Sequence, residues 1–168
     1  LKYEEEGKME KVLLLQPESC IDCHSCELAC SLKHAGVFSR TLSRIAVFET
    51  PLRFSVPLTC LQCDEPACAA VCVVKALTKN QETGVVEYDQ NKCIGCRMCV
   101  SACPFGNITY DRRSSQVLKC DVCEGDPECA RFCPTDAIQW VPANQDTRAR
   151  KAMMTQRFET VFAEGGAS

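Results

Sequence analysis

Sixteen of the 168 residues are cysteines, and their spacing sorts them without remainder into four sets of four. Cys20, Cys23, Cys26 and Cys30 read C-x2-C-x2-C-x3-C, and Cys93, Cys96, Cys99 and Cys103 repeat that pattern. Cys60, Cys63, Cys68 and Cys72 read C-x2-C-x4-C-x3-C, while Cys120, Cys123, Cys129 and Cys133 read C-x2-C-x5-C-x3-C. Thiols at this density either bind metal or pair as disulfides.

The geometry of the loops separates those chemistries. A C-x2-C-x2-C loop can wrap three thiolates round one face of an iron–sulfur cube while its backbone N–H groups point at the sulfurs, as in an anion nest. The fourth cysteine, about one helical turn further on, points away from that cube towards a second one. Pro104 and Pro134 follow the fourth cysteine of motifs three and four and end the loop; Ser31 and Val73 stand there in motifs one and two, which predicts local differences without loss of a ligand. Zinc also accepts four cysteines, and C-x2-C pairs are its usual knuckles, but zinc ribbons carry two separated pairs. Disulfides belong mainly to secreted chains and are sterically poor within C-x2-C-x2-C. The expectation is therefore four [4Fe–4S] clusters with all sixteen cysteines as metal ligands. A closed shell of four thiolates leaves no iron open to substrate, which points to electron transfer and to a chain with no catalytic residues of its own.

Three local cysteines plus one remote cysteine per cluster give a definite assignment. Cys60, Cys63, Cys68 and Cys103 would hold one cluster, and Cys72, Cys93, Cys96 and Cys99 its neighbour. Cys20, Cys23, Cys26 and Cys133 would hold the third, and Cys30, Cys120, Cys123 and Cys129 the fourth. His24 and His34 flank the first motif, but the cysteine count leaves them no vacancy; His24 reads as a surface or potential-tuning residue. Each oxidised cluster with four thiolates adds a charge of −2, so four sites would carry the formal charge from −3 to about −11. Lys92, Arg97, Lys119 and Arg131 stand beside cysteines and are candidates to offset it, together with backbone N–H groups.

The elements that must position these loops are short. VLLLQPES leads into Cys20 and VVEYDQNK into Cys93; KALTK pairs naturally with VVEY across NQETG, NITY pairs with VLK across DRRSSQ, and AIQWV follows Cys133. RIAVF and RFSVPL read as two extra strands, with Pro51 and Pro57 confining them to edges. This is an internal repeat and predicts an α+β fold of two ferredoxin-like units, each carrying two clusters, with little regular secondary structure. Residues 58–111 form one unit; residues 9–57 and 112–142, holding motifs one and four, form the other. Residues 143–168 read as a C-terminal helix, over 144–163, and tail: Asp146 is a candidate N-cap, Gly165 a stop, and Met154, Phe158, Val161 and Phe162 form an apolar stripe that would either pack on its own domain or dock a partner.

Composition excludes several classes. The hydrophobic share is 46%, but it counts the cysteines; without them about 36% remains, a thin supply for a core, so bound metal should help hold the fold. A net charge of −3 argues against nucleic acid as a partner. No apolar run approaches a membrane span, and the acidic LKYEEEGKMEK start is unlike a signal peptide, which together predict a cytoplasmic protein. Met9 is a candidate start.

CIDCHSCELACS, CLQCDEPACAAVC, CIGCRMCVSACPFGNI and KCDVCEGDPECARFCPTDAI, in that order, resemble the four-cluster ferredoxin-type small subunits of molybdenum and tungsten pterin oxidoreductases. The likeness spans about residues 12 to 141. The compact fourth motif, with only EGDPE between Cys123 and Cys129, is more similar to the subunits accompanying tungsten aldehyde oxidoreductases and tungsten benzoyl-CoA reductase than to the longer beta subunits of dimethyl sulfoxide reductase and formate dehydrogenase. The resemblance implies a large tungsten- or molybdenum-pterin catalytic subunit as partner, with a ferredoxin or flavin subunit as a further carrier. A hydrogenase or formate dehydrogenase complex, or a free polyferredoxin, are the alternatives.

Overall fold

Hairpin signals in the sequence become four separate two-stranded antiparallel pairs in the computed structural model, which describes residues 11–51 and 54–143. In chain order the regular elements are β1 (Lys11–Leu15), α1 (Ser25–Ala35), β2 (Ile45–Glu49), β3 (Ser55–Thr59), α2 (Ala67–Ala70), β4 (Leu77–Lys79), β5 (Val86–Tyr88), α3 (Met98–Ala102), β6 (Ile108–Asp111), β7 (Gln116–Lys119), α4 (Glu128–Arg131) and β8 (Ile138–Pro142). This is a small mixed architecture of short helices and short antiparallel strand pairs. The sequence-predicted helix over 144–163 lies outside the described residues.

β4 pairs with β5 and β6 with β7, each across the turn that the Asn/Gly or Asp/Ser residues supply. β2 pairs with β3 alone, and Pro57 sits opposite Val47 on this two-stranded ribbon. β1 pairs with β8, Leu15 opposite Ile138 and Lys11 opposite Pro142, so the two ends of the motif series are stitched together.

Two apolar clusters result, and cysteines are part of both. The first gathers Leu13, Leu15, Ile45, Val47, Val122 and Ile138 with Cys26, Cys30, Cys120 and Cys129. The second gathers Leu77, Val86, Ile108 and Val117 with Cys68 and Cys99. Val117 on β7 thus packs in the second cluster, although the sequence grouping assigns residues 112–142 to the first unit. Cys60 and Val85 reach across and pack against the first cluster, so the two are continuous through the start of motif two.

Motif one departs from motif three for a physical reason. Proline after Cys103 stops α3, whereas Ser31 lets α1 run on past Cys30 to Ala35, where Gly36 (φ 69°) caps it in the left-handed conformation. Ser31 is fully buried; its hydroxyl donates to Leu28 O and accepts from Ser39 N at 3.0 Å each, fastening the loop after the helix.

Candidate metal centres

In each motif the residue before the second cysteine has a positive φ: Asp22 (60°), Gln62 (52°), Gly95 (69°) and Val122 (53°). That turn curls the loop so that amides face sulfur. Gly95 N donates to Cys93 Sγ and Val122 N to Cys120 Sγ, both at 3.4 Å. Two fourth-position cysteines receive amides as well: Arg44 N donates to Cys30 Sγ at 3.3 Å and Ala76 N to Cys72 Sγ at 3.2 Å. A left-handed valine is a strained choice, costing about 1–3 kcal/mol, and only Gly95 among the four announces the turn in sequence. At Gly95 a side chain would also meet Tyr110 Oη at 3.2 Å.

None of the sixteen cysteines is paired in a disulfide. Cys20, Cys23, Cys26 and Cys133 line one small cavity. Cys72, Cys93, Cys96 and Cys99 line a second. The other eight adjoin one another in two groups. Burial pushes the Cys63 and Cys68 thiols up, and the nearby Cys60 and Cys103 sulfurs push the same way. Burial likewise raises Cys129 strongly, reinforced by Cys120, Cys30 and Cys123. Cysteines of different motifs also lie near one another: Cys129 feels Cys26, Cys120 feels Cys60, and Cys68 shares a core with Cys99.

The donor set fits iron–sulfur clusters: soft sulfur ligands only, in fours, with backbone N–H groups already aimed at several of them. Burial also drives Cys26 up to about 12, with the Glu27 carboxylate adding to it, and Cys120 up to about 11. These thiols hold their protons until a metal displaces them.

Around the sulfurs the polar side chains are organised. Glu27 is buried and accepts from Arg40 Nε, from Val47 N at 2.9 Å and bonds His24 Nδ1 at 2.8 Å. His24 Nε2 lies 3.3 Å from Asp22, so this imidazole is engaged by carboxylates. His34 is the surprise: its Nε2 sits 3.4 Å from Cys123 Sγ and 3.5 Å from Asp121. Burial and then the Arg44 guanidinium hold His34 below its ordinary value. Arg44 Nη1 bonds Asp121 at 2.6 Å. No signal in the sequence joins His34 to the fourth motif.

The four cations expected beside the cysteines divide. Lys92 is exposed and pairs with Asp89 at 3.1 Å; Arg131 is exposed and pairs with Glu128 at 3.1 Å and Asp126 at 3.6 Å. Arg97 lies over the Tyr110 ring, 5.3 Å from its centre. Lys119 alone is buried.

Fold and cysteine geometry define an iron–sulfur protein. Residues 52–143 match the 4Fe-4S dicluster domain and residues 17–33 a 4Fe-4S binding domain, and the chain belongs to the 4Fe-4S dicluster domain family. It is 38% identical over 135 residues to the aliphatic sulfonate oxidoreductase, polyferredoxin-like subunit, of Pyrococcus furiosus, covering 79% of this chain and 78% of the relative. It is 29% identical over 193 residues to formate hydrogenlyase subunit 2 of Escherichia coli, covering 93% of this chain and 94% of that one. Among solved structures, a chain of the active site complex BamBC of benzoyl coenzyme A reductase with zinc aligns at a TM-score of 0.46 and 24% identity, covering 94% of this chain and 98% of that chain.

Proposed function

We propose that this chain is a non-catalytic electron-transfer subunit that carries four [4Fe–4S] clusters in an oxidoreductase complex. Each cluster, when bound, would supply a one-electron carrier. The residues would hold them in the four sets named above: Cys20, Cys23, Cys26 and Cys133; Cys30, Cys120, Cys123 and Cys129; Cys60, Cys63, Cys68 and Cys103; Cys72, Cys93, Cys96 and Cys99. The observation that carries this reading is the cavity in which Cys133 meets the Cys20, Cys23 and Cys26 loop, a three-plus-one arrangement typical of paired clusters. On this reading residues 9–57 with 112–142, and residues 58–111, act as two ferredoxin-like units joined by an internal repeat.

The sequence motifs favour a large tungsten- or molybdenum-pterin catalytic subunit as partner, in the cytoplasm, with a ferredoxin or flavin carrier at the other end of the relay. The likeness to formate hydrogenlyase subunit 2 favours a second reading, a place in a hydrogenase complex. Anaerobic purification from the native host separates them: co-elution with a large subunit containing tungsten or molybdenum supports the first, and co-elution with a nickel-containing subunit the second. Elution as a free chain would sink both and leave a diffusing polyferredoxin.

A further inference from the structure

β7 leads into motif four with alternating burial, so Val117 and Lys119 face the same way, and Val117 is in the second core. Lys119 stands opposite Ile108 across the ladder and is only 3% exposed. A lysine therefore occupies a core position on a strand. Its Nζ donates to Cys120 O at 2.7 Å and to Gln62 Oε1 at 3.3 Å, both neutral oxygens. Among the described residues it makes no ion pair with a carboxylate.

Gln62 fixes this junction. It sits in the left-handed turn of motif two, is 5% exposed, and its carboxamide donates to Cys120 O at 2.8 Å while accepting from Val86 N at 2.9 Å. A second lysine, Lys79, binds the Gln62, Cys63 and Gly84 carbonyls at 2.8 to 3.0 Å. Motif two and motif four are thus tied at one point, with the Lys119 ammonium beside it. That ammonium therefore bonds the backbone of one motif-four cysteine and the side chain that stands between Cys60 and Cys63 of motif two.

An ammonium taken out of water with only neutral acceptors is unfavourable unless negative charge lies close by. Here the nearby groups that can supply it are thiolates. We propose that Lys119 is an internal counter-cation shared by the two central cysteine sets, Cys60, Cys63, Cys68 and Cys103 on one side and Cys30, Cys120, Cys123 and Cys129 on the other. It is a positioning residue held at the junction by Gln62. Its charge favours the more negative, reduced state of whatever those two sets hold, and burial protects that effect from screening by salt.

This rests on the four-cluster reading, and iron content keeps the two questions apart. Wild type, Lys119→Arg and Lys119→Met are purified anaerobically and their irons counted before redox titration followed by electron paramagnetic resonance. A wild type without stoichiometric clusters refutes the cluster reading itself. With clusters present, Lys119→Met should lower two of the four midpoint potentials, each by at least a tenfold change in the oxidised-to-reduced ratio, about 59 mV for one electron. Lys119→Arg should restore them, and raised salt should leave the difference intact. Four unmoved potentials, or four moved alike, would overturn the proposal. Should Lys119→Met hold no iron, Lys119→Gln, which keeps an N–H for the Cys120 carbonyl, is titrated by the same criterion. If Lys119→Arg also loses its iron, the side chain serves packing only and the proposal fails; if arginine alone retains iron, the requirement for a cation stands.

Discussion

Leu13 and Trp140 face each other across the β1–β8 ladder, one residue from each end of the motif series. Their pairing is what carries Cys133 back to the loop of Cys20, Cys23 and Cys26. Leu13 is buried in the first core, and Trp140, the chain's single tryptophan, packs against it. Leu13→Ala should cost about 2–5 kcal/mol. Tryptophan emission during denaturation should report an earlier opening of the chain ends than in wild type. An unchanged emission transition would mean that the ends are held by the cysteine sets alone.

Cys30 lies in α1 yet adjoins Cys123 and Cys129. Cys30→Ser should therefore damage the cluster of motif four first and spare that of the Cys20, Cys23 and Cys26 loop. The measurement is iron content with spectral identification of a surviving or three-iron site. Selective loss at the first motif's own loop would reverse the assignment.

Seven thiols, Cys26, Cys63, Cys68, Cys99, Cys120, Cys123 and Cys129, are pushed above their ordinary value of 9.0, each chiefly by burial. All seven are protonated at pH 8, and metal must displace those protons, so cluster loading is favoured as pH rises and opposed as it falls. Reconstitution at pH 8, followed by calorimetry in two buffers of different ionisation enthalpy, should release at least seven protons per chain. The unloaded fold has the opposite sign. A raised thiol value favours the folded state below pH 9 and loses that contribution as pH climbs towards about 11 at Cys120 and about 12 at Cys26.

Arg97 opens α3 and lies over Tyr110, next to the cavity of Cys72, Cys93, Cys96 and Cys99. Arg97→Glu should lower the potential of the cluster held there and leave the chain-end cluster unaffected. A titration identical to wild type would show that the guanidinium serves only its stacking on Tyr110.

Much of the fold was legible because spacing and turn residues carry geometry: the cysteine loops and the hairpins at Asn80–Gly84 and Asp111–Ser115 follow from them. Other features hide in residues that carry no such mark. Asp22, Gln62 and Val122 adopt the left-handed turn that glycine advertises only at position 95, since loop closure overrides their local preference. The reach of α1 past Cys30 depends on the mere lack of proline at Ser31. His34 meets Cys123 through tertiary packing, which spacing along the chain does not encode. Lys119 reads as one of four equivalent candidate cations beside cysteines, and only the strand alternation from Val117 hints that it points inward.

Metal analysis of anaerobically prepared protein tests the central claim most directly. Sixteen cysteines in four closed sets predict about sixteen irons and sixteen acid-labile sulfides per chain, all in [4Fe–4S] form by Mössbauer spectroscopy. A reproducible single zinc with about twelve irons would contradict it, because one of the four sets would then be a structural zinc site.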